Sequence, residues 1–116
     1  MRLAAFLLFF FLFIGGVLLA QPNTIPKLSI WLSSDSGIVL NGMQVSQWKD
    51  ATLNLNHADQ GTAGNQPLFV DSVSVLNYHP VLRLDGANDF MDIADNVTID
   101  FTDQMSIFIV AKQTSL

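Results

Sequence analysis

Beyond residue 20 the chain alternates short apolar runs with turn residues, and this pattern constrains its fold more than any other feature. Apolar residues do not recur at the i, i+3, i+4 and i+7 positions of an amphipathic helix. Instead, stretches rich in β-branched and aromatic residues end at Gly, Pro, Asn or Asp. In Leu28–Ser33 alternate side chains are apolar, which is typical of a strand with one buried face. The sequence therefore predicts an all-β fold.

Tight turns are predicted to join several further strands. Asn41-Gly42 is the best short hairpin signal, because these residues favour the turns that match strand twist. Residues 51–66 are polar and rich in Asn, Gly and Thr, so we expect mostly loop there, with a brief pairing near His57–Asp59. The predicted strands are Leu28–Ser33, Ile38–Leu40, Gln44–Trp48, Leu68–Val70, Val73–Leu76, Val81–Asp85, Phe90–Ile93 and Met105–Lys112, with a strand edge over Val97–Phe101.

The Met105–Lys112 segment is apolar on both faces. Ile107 and Ile109 fall on one face, and Phe108 and Val110 fall on the other. A strand of that kind needs neighbours at its edges and layers above and below it. We therefore expect the chain to be incomplete, or a partner chain to cover this strand.

Residues 1–20 have the layout of a secretory signal peptide. Arg2 supplies a small positive region, an apolar run follows from Leu3 to Ile14, and the segment closes at Ala20. The same stretch is just long enough to span a bilayer, so an uncleaved N-terminal anchor is the alternative. We predict a signal helix at 1–20, a linker at 21–27 and a β domain over 28–116, in a secreted or cell-surface protein.

The chain of 116 residues has a net charge of −5, contains no Cys, and carries ten acidic residues that are all Asp. Without a basic stripe to neutralise phosphates, a nucleic-acid partner is not expected. A membrane is expected as a partner only through the N-terminal segment, if that segment is not cleaved. The lack of Cys excludes disulfides and a thiolate nucleophile.

Six short pieces follow one another in a familiar order between residues 28 and 112: Trp31–Ile38, Val45–Asp50, Asn54–Gln60, Asn65–Val70, Pro80–Phe90 and Ser106–Lys112. Together they resemble the N-terminal part of concanavalin A-like, or laminin G-like, domains of secreted and cell-surface bacterial proteins. The resemblance implies an antiparallel β-sandwich of the jelly-roll type. The chain departs from the family pattern at Ala51-Thr52-Leu53, where the family usually carries a Gly-rich turn.

Trp31 and Trp48 are the candidate ligand-binding residues, because an exposed indole ring can stack on a sugar. The alternation in Leu28–Ser33 places Trp31 on the face opposite the apolar residues, which permits exposure. The alternative is that both tryptophans are framework residues packed between sheets, which is also what the resemblance implies.

Asp85, Asn88 and Asp89 surround Gly86 and form the candidate metal site. They place several oxygen atoms on one tight turn, and hard cations such as Ca²⁺ prefer oxygen ligands. A hairpin turn stabilised by Asx hydrogen bonds explains the same residues. Ca²⁺ is therefore the cofactor for which the sequence offers a site, beside a purely structural interpretation.

The sequence shows no recognisable catalytic constellation. Neither His57 nor His79 has a His or Cys at zinc-ligand spacing. Concanavalin A-like glycosidases resemble one another in a Glu-bearing strand motif, and this chain has no Glu. A Gly-x-Ser-x-Gly elbow is also missing from the sequence. We therefore predict a non-catalytic module.

The predicted function is carbohydrate binding or adhesion at the cell surface. It is motivated by the export signal, the jelly-roll-like landmarks and the Asp-rich loops. Two alternatives stay open: a structural spacer domain of a larger exported protein, and an accessory part of a glycoside hydrolase whose catalytic residues lie in further sequence.

Overall fold

The computed structural model describes residue 22 and residues 25–113. The predicted signal helix at 1–20 and residues 21, 23 and 24 of the predicted linker lie outside the described residues, as do residues 114–116. The described part is built from β-strands, short 3₁₀ helices and extended loops. The strands are β1 (Ile38–Asn41), β2 (Gln44–Trp48), β3 (Ala58–Asp59), β4 (Leu68–Val73), β5 (His79–Arg83) and β6 (Asp92–Ile93), and the 3₁₀ helices are Ala63–Asn65 and Ser74–Leu76.

All six strands belong to one antiparallel sheet, in the order β5-β4-β2-β3-β6, with β1 also paired to β2. β1 runs along the whole of β2, from Ile38 opposite Trp48 to Asn41 opposite Gln44. β4 pairs with one end of β2, at Gln44, and β3 pairs with the other end, at Trp48. β2 is therefore the hub of the sheet. The prediction of an all-β fold is confirmed at the level of a single antiparallel sheet.

The hairpin between β1 and β2 closes through the two-residue turn Gly42-Met43. Gly42 has a φ of 66°, and a two-residue turn with a left-handed residue in its first central position is of type II′. The Asn-Gly signal therefore located this turn, although Asn41 itself is the last residue of β1. Within β1, the pairing shifts register between Val39 and Leu40.

The prediction of a strand over Leu28–Ser33 is wrong. The backbone of this segment is bound by side chains in place of a neighbouring strand: Asn54 Nδ2 donates to the Leu28 carbonyl at 3.1 Å, and Trp48 Nε1 donates to the Ser33 carbonyl at 2.9 Å. Buried backbone N–H and C=O groups need a hydrogen-bond partner, but pairing with a neighbouring strand is only one way to provide it.

The predicted strand over Met105–Lys112 is also absent from the described part of the chain. This segment is extended without ladder partners, and Phe108 and Val110 are 94% and 100% exposed. A strand requires a neighbour that supplies hydrogen bonds, and none of the six strands pairs with this segment. The predicted edge strand over Val97–Phe101 is replaced by a turn for the same reason.

The two short strands predicted on either side of residue 71 are in fact one strand and a 3₁₀ helix. β4 continues through Asp71 to Val73, with a register shift between Val70 and Val73, and Ser74–Leu76 then coils tightly. Asn77 follows in the left-handed region with a φ of 54°, a conformation that Asn tolerates better than most residues. The chain can therefore reverse directly into β5.

Few apolar side chains are buried in the described part of the chain. Val45 and Ala58 are 0% and 3% exposed, and the Val45 N–H donates to the carbonyl of buried Pro67 at 2.8 Å. By contrast, large apolar residues such as Met43 and Val75 are more than 70% exposed. A single sheet cannot bury both of its own faces, so this architecture consists of one layer with a small apolar centre on β2 and β3.

Gly42→Ala should destabilise the fold by about 1–2 kcal/mol, because an L residue with a Cβ disfavours the left-handed φ of this turn. No atom lies within 4 Å of a Cβ built at Gly42, so the effect isolates backbone conformation. Gly61→Ala is the matched control, since Gly61 has equally open surroundings without a left-handed φ. Urea unfolding followed by circular dichroism measures both variants, and equal midpoints would contradict the assignment of the turn.

Candidate functional site

The Asp50 carboxylate organises the loop that follows β2. It is 5% exposed and accepts hydrogen bonds at both oxygens. Oδ1 accepts the N–H groups of Trp31 and Thr52 at 2.8 and 3.0 Å. Oδ2 accepts the N–H of Asn56 at 3.0 Å and the hydroxyl of Thr52 at 2.5 Å. One side chain therefore joins the segment before β1 to both ends of the loop over residues 51–56.

Two asparagines of the same loop also bind the segment before β1, through the backbone carbonyl groups of that segment. Asn54 Nδ2 donates to the carbonyls of Leu28 and Ser29 at 3.1 Å each. Asn56 Nδ2 donates to the Ser29 carbonyl at 2.9 Å and lies 2.8 Å from the hydroxyl of Thr98. We call Asp50, Thr52, Asn54 and Asn56 the polar network; it connects three stretches of chain that are distant in sequence.

Folding lowers the pKa of Asp50. Burial of the carboxyl alone would raise its pKa, but hydrogen bonds from the Thr52 hydroxyl and from the amides of Trp31, Thr52 and Asn56 stabilise the ionised form and outweigh burial. The ring of His57 is fixed as well, because its Nδ1 accepts the Asp50 N–H at 3.0 Å.

An open cleft of about 620 Å³ adjoins the polar network. Its lining combines hydroxyl and amide groups with aliphatic side chains and one ammonium group. The lining residues are Ile25, Lys27, Leu28, Ser29, Ala51, Thr52, Leu53, Asn54 and Thr98.

A second buried polar cluster ties the loop after β3 to the rest of the sheet. Gln60 and Gln66 are 6% and 3% exposed, and Gln66 Nε2 donates to the Gln60 carbonyl at 2.7 Å. Gln60 Nε2 reaches the carbonyl of Phe90 at 3.2 Å, and Asn41 Nδ2 donates to Gln66 Oε1 at 3.1 Å. These bonds all run between parts of the fold, so the cluster is structural in character.

The two candidate tryptophans have different environments in the structure. Trp48 is half-buried, and its indole N–H is bound to the Ser33 carbonyl, as expected of a framework residue. Trp31 is 41% exposed, and its backbone is fixed through Asp50 and through a bond from the Ala51 N–H at 2.9 Å. Trp31 is therefore partly exposed on a backbone fixed by two hydrogen bonds; it does not line the cleft itself, but Ala51, which binds its carbonyl, does.

The turn over Asp85–Asp89 is closed by its own hydrogen bonds. Asp85 Oδ1 accepts the N–H groups of Ala87, Asn88 and Asp89 at 2.9, 3.1 and 3.2 Å. Asp89 Oδ2 in turn accepts the Asp85 N–H at 2.9 Å. The bond from the Ala87 amide, together with the other two, holds the pKa of Asp85 below its ordinary value. These contacts are those of an Asx turn.

The third residue of the candidate metal site also has a partner outside the turn. Asn88 Nδ2 donates to the Gly64 carbonyl at 2.6 Å and to Asn65 Oδ1 at 2.8 Å. Within the described residues, no three His or Asp side chains are grouped to hold a metal ion. The side-chain oxygens that the turn leaves without a bond are Asp85 Oδ2, Asn88 Oδ1 and Asp89 Oδ1, and Ca²⁺ binding there stays a prediction.

The polar network was missed by reasoning from the sequence. Its signal was the alternation from Asp50 to Asn56, in which every second residue is Asp, Thr or Asn. That period matches a chain with one polar side facing inward. The exposed pair of Asp35 and His79, whose Oδ1 and Nδ1 atoms lie 2.7 Å apart, was equally unexpected.

Comparison with family models, with curated proteins and with solved structures found no match to this chain. The resemblance of the six sequence pieces to concanavalin A-like domains therefore stays a prediction. In the part of the chain that the structure describes, no helix has the length and apolar character to cross a membrane.

Asp50→Asn should lower the free energy of unfolding by about 2–3 kcal/mol at neutral pH, since it leaves buried amide donors without a charged acceptor. It also turns an NH₂ group toward N–H donors. Asp59→Asn is the control, because Asp59 is exposed and accepts a bond from Gln47 Nε2 at 2.8 Å. Urea unfolding at pH 7 measures the difference; equal stability of the two variants would contradict a central role for Asp50.

The same carboxylate should control stability in acid. Because folding lowers the pKa of Asp50, its contribution is complete above the ordinary value of 3.8 and is lost as the pH falls through the lower folded-state pKa. Unfolding free energies measured from pH 6 down to pH 2 should therefore fall less steeply for Asp50→Asn than for the native chain. Parallel curves would argue against this linkage.

Proposed function

We propose that the chain forms part of a jelly-roll β-sandwich of the concanavalin A-like type in an exported protein. The support is the sheet itself: it is antiparallel, and it leaves many large apolar side chains uncovered while burying Val45 and Ala58. An antiparallel sheet with an apolar face requires a second layer. The concanavalin A-like sandwich, which the six sequence pieces resemble, contains such a second layer. The predicted export signal at 1–20 would carry the protein out of the cell.

In this proposal Met105–Lys112 becomes a strand of the completed sandwich. Its apolar residues alternate on both sides, and they are exposed in the described chain, with Phe108 at 94%. Covering both faces would bury apolar area at about 25 cal/mol per Å². The ordering of this segment is therefore coupled to the arrival of neighbouring strands from further sequence or from another chain.

Phe108→Asp tests the coupling in the full protein that contains this chain. If the segment is covered on both faces, a buried charge should destabilise the protein by more than 2 kcal/mol, roughly the value of a lost aromatic side chain or more. Gln113→Asp, in an exposed polar position, is the control. Thermal unfolding of both variants gives the answer, and a neutral Phe108→Asp would mean that the segment stays uncovered.

The function that the site supports best is non-catalytic carbohydrate binding at the cell surface. One observation carries it: the residues that line an open cleft with hydroxyl, amide and aliphatic groups include Ala51, whose N–H is bound to the carbonyl of the 41% exposed Trp31. Sugars offer hydroxyl groups to hydrogen-bonding side chains and C–H faces to aromatic and aliphatic ones. Trp48 is assigned to the framework because its indole N–H is bound to Ser33.

Trp31→Ala should abolish binding in a glycan array while lowering the unfolding midpoint only modestly, because the residue is 41% exposed and its backbone contacts persist. Trp48→Phe is the matched control: it loses the bond to Ser33, which should lower stability by about 1 kcal/mol without loss of binding. The array is read with and without Ca²⁺. No binding by the native protein in either condition would favour the spacer function, and hydrolysis of a glycan would favour an accessory role in a hydrolase.

A further inference from the structure

The cleft beside the polar network carries one positive charge. Among the described residues that line it, Lys27 is the cation and no side chain is acidic. The Asp50 carboxylate of the polar network is 5% exposed and already accepts four hydrogen bonds, so it is not open to a ligand. The lining of the cleft is therefore basic, although the chain as a whole has a net charge of −5.

Two groups of the lining are available to a ligand, one a donor and one an acceptor. The Lys27 side chain is exposed, and it forms no ion pair with any carboxylate in residues 25–113. Asn54 uses its Nδ2 to bind the carbonyl groups of Leu28 and Ser29, which turns its Oδ1 into the remaining acceptor. An ammonium group and a carbonyl oxygen in one cleft suit a ligand that carries both an anionic group and hydroxyl groups.

The backbone conformation of Lys27 disfavours lysine. The Leu28 N–H donates to the Ile25 carbonyl at 3.3 Å and closes a four-residue turn, in which Pro26 is second and Lys27 is third. Lys27 has a φ of 61°. A turn with Pro in the second position and a left-handed third residue is of type II, and its third position favours Gly or Asn. Lysine therefore occupies this position at a cost in stability, and residues held at such a cost cluster at binding sites.

We propose that the cleft binds an acidic saccharide and that Lys27 binds its carboxylate or sulfate group. This inference rests on the proposed carbohydrate binding and narrows its ligand class. A hydrogen bond from an ammonium group to an anionic oxygen is about twice as strong as a bond between neutral groups. Salt at physiological strength largely screens exposed charges more than about 8 Å apart, so the net charge of −5 does not prevent an anion from binding beside Lys27.

Matched pairs of glycans test this preference in the full protein that contains the chain. Oligogalacturonate is compared with its methyl ester, which has the same sugar rings without the charge. A galactose 6-sulfate oligosaccharide is compared with the unsulfated one, so that recognition of sulfate and of carboxylate can be distinguished. Titration calorimetry should show that at least one acidic glycan binds about tenfold more tightly than its neutral counterpart.

Two lysine variants locate the charge that the ligand recognises. Lys27→Gln keeps a polar side chain but removes the charge, so it should reduce the preference for the acidic glycan about tenfold. Lys49→Gln is the matched control, because Lys49 is an exposed cation outside the cleft lining, and its loss should leave the preference unchanged. Equal reductions in the two variants would assign the preference to the overall charge and overturn the role of Lys27.

Lys27→Gly distinguishes a binding role from a structural one. Glycine accepts the left-handed φ at the third position of the turn, so this variant should raise the unfolding midpoint of the protein. It should also lose the preference for the acidic glycan. A lysine kept for the fold alone would give the opposite pair of results, a lower midpoint and an unchanged preference.

The glycan pairs also separate this inference from the function on which it rests. Equal affinity for acidic and neutral glycans would overturn the acidic ligand class and leave carbohydrate binding intact. A preference that survives in Lys27→Gln would overturn the assignment of the anion to this residue. No binding of any glycan would overturn the proposed function, and the inference with it.

Discussion

The loop over residues 51–56 and the segment before β1 depend on one buried carboxylate, that of Asp50. A charge removed from water is tolerated only when strong donors replace its hydration, and Asp50 receives four of them from three residues. The loop that supplies two of the three is thereby closed onto the segment before β1. With so few apolar side chains buried, a charge-assisted network provides the specificity that a larger apolar centre would give in a thicker fold.

Local signals in the sequence were sufficient for the centre of the sheet. β2 was predicted with its correct bounds, and β1 was predicted to within one residue, because alternation and an Asn-Gly turn act over short distances. β3 was anticipated only as a brief pairing. Its two residues are held by pairing with β2 and β6, and their own sequence has no strong strand pattern.

The wrong predictions share a physical cause, which is that strands need partners and that side chains can take the place of partners. Leu28–Ser33 has the alternation of a strand, but its backbone groups bind Asp50, Asn54 and Asn56, which lie more than 18 residues further along the chain. Such bonds depend on how the loop folds back, and no local pattern reveals them. Met105–Lys112 is the converse case: its sequence has a strong strand pattern, but no strand pairs with it in the described part of the chain.

The same distant contacts explain why the candidate site was only partly predictable. Trp31 and the Asp85 turn could be named from residue type, whereas the cleft exists because the loop over residues 51–56 is folded against residues 25–29. In that loop the usual distribution of polar and apolar side chains is reversed: the asparagines point inward, and the leucines are exposed to solvent. Were the network absent, burying Leu53 and Leu55 would be favourable by about 1.5–3 kcal/mol each, and Leu55 would leave a conformation that costs about 1–2 kcal/mol. The hydrogen bonds of the polar network must outweigh both of these free-energy costs, so these bonds keep the two leucines exposed.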